Sequence, residues 1–578
     1  MHTNYSPLYF PRAGIPMLVE LIPCREFPEA FHPLVCAFAG DTAFLAARFP
    51  TTARLPQAME ALLRPPLPPE QVTPLLEVLR ESMEEETLSD RQRQHLDELA
   101  SGTALAVVTG QQVGFLGGAL YTLLKAVAAL ALTQQLRQQL ARPVVPIFWV
   151  EDNDSDGREA GSIAWWTPEG ELLELQATSD AELRQPISSS ARLFRAGDTW
   201  QEALRRIAAH LPHELLQRLQ QAYRPQRSWS SAFVSLLQWV LGDSGMLFLQ
   251  ASQARRLGLF APVLTRALEA EAEVTIALQT ATAWLQEHGY PISIIPSFPL
   301  LHFHTAEGLR YRVRRSPDGA YTIAQRRYST AEFWELFKAH PDAFSPTALL
   351  RPLCQDALLP TVAVVLGPGE LAYWTELREL YAVLGLPMPA VFLRPSATFI
   401  PPLFQRWLDR SGWHARSFLA PWQDVEARLL STLPMAQEHG EILGELRQHI
   451  QRWYEHVRPL VQHTDPTLVP SLGATRHHLE EALQRWERRF RAALRRHSLI
   501  LLRRARRIWS LLYPGGKPQE RTLSWLQLFV LCGTEPFRQA LHEALSVPPA
   551  VHALITVPEG AAAPASPPAA RTPESPLQ

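Results

Sequence analysis

The sequence predicts an α/β chain: a parallel sheet core with inserted connecting segments, followed by a C-terminal α-helical antiparallel coiled-coil domain. Three observations carry that prediction. Residues 104–150 run from an apolar stretch through a glycine-rich turn and a long helical pattern into a second apolar stretch. Short apolar runs of the same kind recur downstream. Beyond Phe399 the apolar spacing changes to a heptad.

The first strand is expected at Ala104–Thr109, its helix at about Ala119–Ala141 and the second strand at Pro143–Val150. Near-continuous apolar strands around an apolar helix indicate a parallel sheet covered on both faces. Gly245–Gln250, Ile292–Pro296, Thr361–Leu366 and Ala390–Pro395 read as further strands of that sheet, and the last two flank the helical stretch Gly369–Leu386. The arginine-rich stretch Arg310–Arg327 reads as a hairpin. From Met435 to Val461, Leu443, Leu446, Ile450, Trp453, Val457 and Leu460 step by 3, 4, 3, 4, 3. A breaker, "HTDPTLVPSLGA", precedes a second helix expected to run to about Leu512. Such a hairpin does not bury its seams alone, so a second copy is its expected partner and the chain is expected to be a homodimer. The division is 1–400 for the core, 401–550 for the helical domain and 557–578 for a Pro-, Ala- and Ser-rich tail expected to be disordered.

Composition excludes several classes. The chain has 578 residues, 46% of them hydrophobic, enough for a large core. A net charge of -2 gives no global pull toward nucleic acid or anionic membrane. No apolar run reaches the roughly 20 residues that span a bilayer, and the first 16 residues do not read as a secretory signal. Cys24, Cys36, Cys354 and Cys532 form no C-x-x-C pair, so no zinc or redox motif is indicated. Four scattered thiols, read as ordinary buried cysteines, fit a reducing cytoplasm.

Three strand ends carry polar groups. "VVTGQQVGFLGGALYTLLKA" places Thr109, Gly110, Gln111, Gln112, Gly117 and Gly118 in a turn before a helix bearing Tyr121 and Lys125. Glycines let a ligand approach the backbone, and a helix N-terminus suits a phosphate or carboxylate. The spacing is neither a dinucleotide fingerprint nor a Walker loop. The alternative is a tight packing turn. The second strand ends in Glu151, Asp152, Asn153, Asp154 and Asp156. These acids can hold an ammonium group or a metal ion, act as a base, or merely cap a helix. Third, Gly367, Gly369, Glu370, Tyr373 and Trp374 follow one strand, Arg351 precedes it, and Arg394 and Ser396 follow the next. Together these describe a pocket for a polar ligand. Ten arginines between Arg485 and Arg507 read as an ion-paired coiled-coil flank rather than a phosphate stripe.

"TGQQVGFLGGALYTLLKA" with "PVVPIFWVEDND", "ALLRPLCQDALLPTVAVVLGPGELAYWTEL" and "LYPGGKPQERTLSWL" closely resembles the cysteine-adding enzymes of bacillithiol biosynthesis, the BshC family. The resemblance covers about residues 105–525. It implies a Rossmann-like core, a coiled-coil domain used for dimerisation, and ligation of cysteine to the amine of glucosaminyl-malate through an amide bond. Small-molecule substrates are the implied partners, with no nucleic acid and no membrane. The family's Glu-Asp-His-Asp departs here to Asn153, which cannot take a proton near neutral pH. A free carboxylate is a poor electrophile, and ATP with Mg could supply its activation; the cofactor is left unknown, since the sequence itself establishes no cofactor and no metal site. On this reading Glu151, Asp152 and Asp154 hold the cysteine ammonium or deprotonate the amine, and Lys125 assists an anion at the Thr109–Gly118 turn. Three other readings stay open: another amino-acid ligase or nucleotidyl-transferring enzyme on the same scaffold, a non-catalytic coiled-coil scaffold with a vestigial pocket, and a nucleic-acid binder using the arginine helix.

Overall fold

The computed structural model describes residues 17–28, 30–49, 67–83, 88–140 and 142–559. The expectations for the first 16 residues and for the tail beyond residue 559 lie outside the described residues. The described residues form two compact units: those within 17–166, 172–406 and 517–559 make one, and 167–171 with 407–516 the other.

The first unit is built on five parallel strands. In chain order these are β1 (Leu105–Gln112), its helix α1 (Leu120–Leu140), β2 (Val144–Glu151), β3 (Leu247–Gln250), β4 (Thr361–Leu366), the short helix α2 (Pro368–Trp374) and β5 (Ala390–Leu393). The spatial order is β5-β4-β1-β2-β3, every pair parallel. β1 through β4 are buried on both faces save at the carboxyl ends of β1 and β2, which is why they read as unbroken apolar runs. The order reverses between β1 and β4. In open α/β sheets that reversal opens the ligand crevice, outside the carboxyl ends of the strands.

Three expectations about the sheet change. β1 continues through Gln112, three residues past the expected end, because Gly110, Gln111 and Gln112 pair with Trp149, Val150 and Glu151 of β2. Gln111 and Gln112 therefore stand on the strand, and the turn begins after them. Gly110 is required there: a Cβ would lie 2.8 Å from the Trp149 carbonyl oxygen. Second, Ile292–Pro296 is not a strand. Pro291, Pro296 and Pro299 remove ladder donors, and the Glu376 carboxylate takes the Ser293 and Ile294 N–H groups at 3.1 and 3.3 Å. Third, the arginine-rich hairpin is part of a five-stranded antiparallel insert. Its order is Arg326–Tyr328, Tyr321–Ile323, Arg310–Arg315, Leu301–His304, Phe344–Pro346.

The cysteine reading is also corrected. Cys24 and Cys36 form a disulfide, with Cα atoms 6.3 Å apart, because the chain turns between strand Val19–Pro23 and helix Pro33–Gly40. Cys354 and Cys532 are buried thiols. No helix among the described residues is long and apolar enough to cross a membrane.

The segment after residue 516 returns to the first unit. Val551–Thr556 pairs with Val19–Pro23 and with Ser396–Ile400 in a three-stranded sheet. The compact helical unit, 407–516 with 167–171, lies largely within the expected 401–550.

In the second unit, helices Pro434–Thr464 and Val469–His497 form an antiparallel hairpin. The loop is only four residues, Asp465–Leu468, and the Asp465 carboxylate accepts the Thr467 N–H at 2.9 Å. The second helix is not continuous to Leu512. Ser498 (φ -96°, ψ 17°) separates it from a further helix, Leu499–Leu512. His439 stacks on Phe490 at 3.6 Å and Arg447 pairs with Glu487 at 2.7 Å across the hairpin. Of the predicted heptad only Leu443 is buried; Leu446, Trp453 and Leu460 are 43%, 39% and 60% exposed. Among the ten arginines, Arg485 pairs with Glu481, Arg491 with Glu487 and Arg495 with Glu426.

Candidate active site

The carboxyl ends of β1, β2, β4 and β5 lie on one edge of the sheet, as parallel pairing requires. A cavity of about 420 Å³ opens beyond the end of β1. It is lined by Gln111, Gln112, Gly118, Tyr121 and Thr122, by Glu159 and Glu174, and by Lys517 and Arg521 of the returning C-terminal segment.

The glycine turn shapes one wall. Gly117 and Gly118 have φ of +77° and +78°. A Cβ on Gly117 would meet the Trp525 indole at 2.5 Å, and that indole N–H donates to the Gly117 carbonyl at 2.9 Å. Gly117 therefore lets the C-terminal segment close onto the turn.

Lys125 is 2% exposed and does not line the cavity. It sits at the β1–β4 reversal and donates to the Gly110 carbonyl and to Gln111 Oε1, both at 2.8 Å. It also pairs with Glu370, which accepts the Gly367 N–H at 2.9 Å. Burial pulls the ammonium below the usual lysine range, against the opposing pull of Glu370. Thr109 Oγ1 donates to the Val365 carbonyl at 2.8 Å and so ties the same two strands. Gln111, held by Lys125, donates on to the Tyr121 hydroxyl at 3.2 Å.

The acids after β2 diverge. Asp152 is fully buried and accepts the Ser252 N–H and hydroxyl, both at 2.7 Å, and the Ser230 hydroxyl at 3.0 Å. Burial pushes its carboxyl up. Glu151, also raised by burial, accepts the Trp149 indole N–H at 3.0 Å. Asp154 meets a cavity-lining residue without lining the cavity itself: it accepts from Gln112 and pairs with Arg310 at 2.6 Å. Burial raises its carboxyl, but Arg310, Gln112 and neighbouring backbone N–H groups outweigh that and hold it below the usual range. Asn153, 2% exposed, accepts from Arg255 Nε at 2.9 Å. Among the described residues, no three His, Cys, Asp or Glu side chains converge as metal ligands.

The third cluster is split between supporting contacts. Arg351 donates to the Tyr373 hydroxyl and Gln355 Oε1, both at 3.0 Å. Trp374 is wholly buried. Gly369 has open space around it. Arg394 pairs with the fully buried Glu520 at 2.7 Å and its guanidinium lies 5.7 Å over the Tyr121 ring. Ser396 also donates to Glu520, at 3.1 Å, and meets His552 Nδ1 at 2.8 Å. Arg394 and Ser396 thus anchor the segment that presents Lys517 and Arg521.

Sequence reasoning missed Glu159, Arg310, Lys517 and Arg521. Lys517 and Arg521 lie in "LYPGGKPQERTLSWL", and their signal was present in that string. Arg310 had none: it reaches Asp154 from an insert 156 residues away.

Residues 19–395 match the description "Bacillithiol biosynthesis BshC, N-terminal Rossmann-like domain", and residues 397–557 match "Bacillithiol biosynthesis BshC, C-terminal coiled-coil domain". Proteins named "Putative cysteine ligase BshC" are similar over most of their length. The one from Chlorobaculum tepidum is 30% identical over 78% of this chain and 82% of its own. That from Salinibacter ruber is 29% identical over 78% and 83%, and that from Staphylococcus carnosus 26% over 82% and 88%. With both of its domains matched, from residue 19 to residue 557, the chain belongs to the BshC family of bacillithiol biosynthesis.

Proposed function

We propose that the chain is a ligase joining the cysteine carboxyl to the amine of glucosaminyl-malate by an amide bond. The observation that carries this reading is the charge pattern of the cavity. Lys517 and Arg521 supply cations for the malate carboxylates, while Glu159 and Glu174 suit an amine-bearing sugar. The side-chain amides of Gln111 and Gln112 add groups that both donate and accept, as sugar hydroxyls require. Among the described residues, the cations lining this cavity are these two, and Lys125 stays part of the sheet edge.

Asp154 is the acid of the Glu-Asp-Asn-Asp run placed to act beside the cavity, through Gln112. Glu159, whose carboxyl burial, Asp156 and Asp154 push up, is the proposed acceptor of the amine proton. Asp152, locked by three donors, keeps the loop after β2 in place. ATP with Mg is the proposed carboxyl activator. The proposed location is the cytoplasm, where a cysteine substrate stays reduced; the Cys24–Cys36 bridge is the feature that speaks against it. The exposed apolar stripe of the hairpin, including Leu446 and Leu460, is the proposed dimer face.

The test is an assay of purified protein with cysteine and glucosaminyl-malate, with and without Mg-ATP, following bacillithiol by mass spectrometry. Product only with ATP, and a raised KM for glucosaminyl-malate in Arg521→Ala, are expected. No product from well-folded protein under either condition would sink the reading.

A further inference from the structure

Gln112 is the last residue of β1, and its side chain lines the cavity. A side-chain amide carries two N–H groups and one carbonyl oxygen. The Gln112 Nε2 donates to Asp154 Oδ2. Nε2 is thus held by an acid, which sets the sense of the amide and puts Oε1 on its other side.

That arrangement holds only while Asp154 is an acceptor on the oxygen that faces Gln112. Its other oxygen, Oδ1, takes Arg310 Nη1 at 2.6 Å and the Ser155 N–H at 2.7 Å. Arg310 is itself fixed from behind: Nη2 meets His302 Nδ1 at 3.2 Å, and its backbone N–H donates to the Pro186 carbonyl at 2.7 Å. The side chains of Arg310 and Asp154 are 12% and 27% exposed, so water competes weakly for the pair.

We propose that Arg310 is a positioning residue of this site: through Asp154 it fixes the sense of the Gln112 amide, leaving its carbonyl oxygen to accept a hydrogen bond from the amine-bearing acceptor. The antiparallel insert 301–346 is on this account part of the active site and not a peripheral addition. If Asp154 were protonated, it would offer Gln112 a donor, and the amide would have reason to flip. This inference rests on the cavity being the acceptor site. The charged and titratable groups around Asp154 are Arg310 and His302 from the insert, Glu151 from β2, and Glu159 from the helix Gly157–Gly161, which Lys125 on α1 also faces. Burial and the Arg310 and Arg312 charges keep His302 neutral, with a pKa of about 3, so it does not titrate in the range used.

The experiment is calorimetric titration of the full chain with glucosaminyl-malate between pH 5 and 7.5, for wild type, Arg310→Gln, Arg310→Lys and Asp154→Asn, each checked by thermal melting. Arg310→Gln is expected to bind about tenfold more weakly, the size of one oriented hydrogen bond. Its loss should deepen toward pH 5 relative to wild type, because Asp154 no longer has its cation. Arg310→Lys should recover the wild-type pH profile. Arg310→Gln added to Asp154→Asn should cost nothing further, since the two act in series. If Arg310→Gln does not fold, Asp154→Asn and Arg310→Lys carry the same test. Wild-type affinity and pH profile in a folded Arg310→Gln, or full additivity with Asp154→Asn, overturns the proposal while the cavity reading stands. Failure of the wild type to bind glucosaminyl-malate overturns both.

Discussion

Glu520→Gln is the most informative single change in the first unit. The Glu520 carboxylate has no solvent exposure and accepts three donors: Arg394 Nη2 at 2.7 Å, the Ala397 N–H at 2.8 Å and the Ser396 hydroxyl at 3.1 Å. Glutamine matches its shape but removes the charge and turns an N–H₂ group toward donors. Arg394, with 2% of its side chain exposed, is then a buried cation without a counter-ion. Breaking a buried pair from one side costs about 3–5 kcal/mol. The cost falls on the joint between Ser396–Ile400 and the segment Gln519–Thr522, so local opening there should become easier by roughly two to three and a half powers of ten. Hydrogen exchange followed by mass spectrometry reads this directly, in peptides covering residues 396–400 and 517–532. Burial raises the Glu520 carboxyl, but Arg394 outweighs burial and holds it below the usual range. Its contribution is therefore fully present above the unfolded value near ~4.3 and is lost as pH falls through the lower folded value. Wild type and Glu520→Gln should converge as the pH falls through that window. Wild-type exchange in the variant at neutral pH would refute the reasoning.

Lys125→Met should destabilise by about 1–3 kcal/mol, because the Gly110 carbonyl, Gln111 Oε1 and Glu370 lose their donor. Wild-type stability should also rise with pH between the lowered folded lysine value and ~10.4, and denaturant melts should show that rise missing in Lys125→Met. Asn153→His introduces the residue that the resemblance implies at this position, yet it puts an imidazole against Arg255 in a site that is 2% exposed. Overpacking of about 1–3 kcal/mol and no gain in rate are expected; a tenfold faster turnover would show that proton transfer belongs at position 153. Leu446→Lys with Leu460→Lys should leave a monomer by sedimentation velocity if the hairpin's exposed stripe is the dimer face, while an intact dimer would place the interface elsewhere.

Much of the sheet was legible because its strands are buried on both faces and so carry long apolar runs. β2 and β4 fall within one or two residues of their expected limits. The errors have local causes. Ile292–Pro296 has the apolar content of a strand, but three prolines and the Glu376 carboxylate take its backbone out of any ladder. β1 ran longer than read because Gly110, Gln111 and Gln112 look like a turn in sequence and are kept extended by the partner strand. The hairpin was legible from its heptad, though the heptad describes a face that one copy leaves largely exposed.

The candidate site was legible only where its residues stand at or just past the carboxyl end of a strand. Thr109, Gln111, Gln112 and Asp154 qualify, and the structure keeps them at the sheet edge. Proximity in sequence then misassigned their neighbours. Lys125 looked like an anion clamp, yet its helix turns it inward to the β1–β4 reversal. Asp152 and Asp154 are two residues apart and do opposite things: one is sealed under Ser230 and Ser252, the other reaches Gln112. Strand alternation would put residues two apart on one face, but both lie beyond the end of β2 at Glu151, where it no longer applies, and no pattern in the strand says which of them reaches Gln112. That depends on Arg310 and Arg521, 156 and 367 residues beyond Asp154. A parallel sheet thus announces where its ligand edge lies, while the groups that tune that edge arrive from segments whose own sequence speaks only of hairpins and turns.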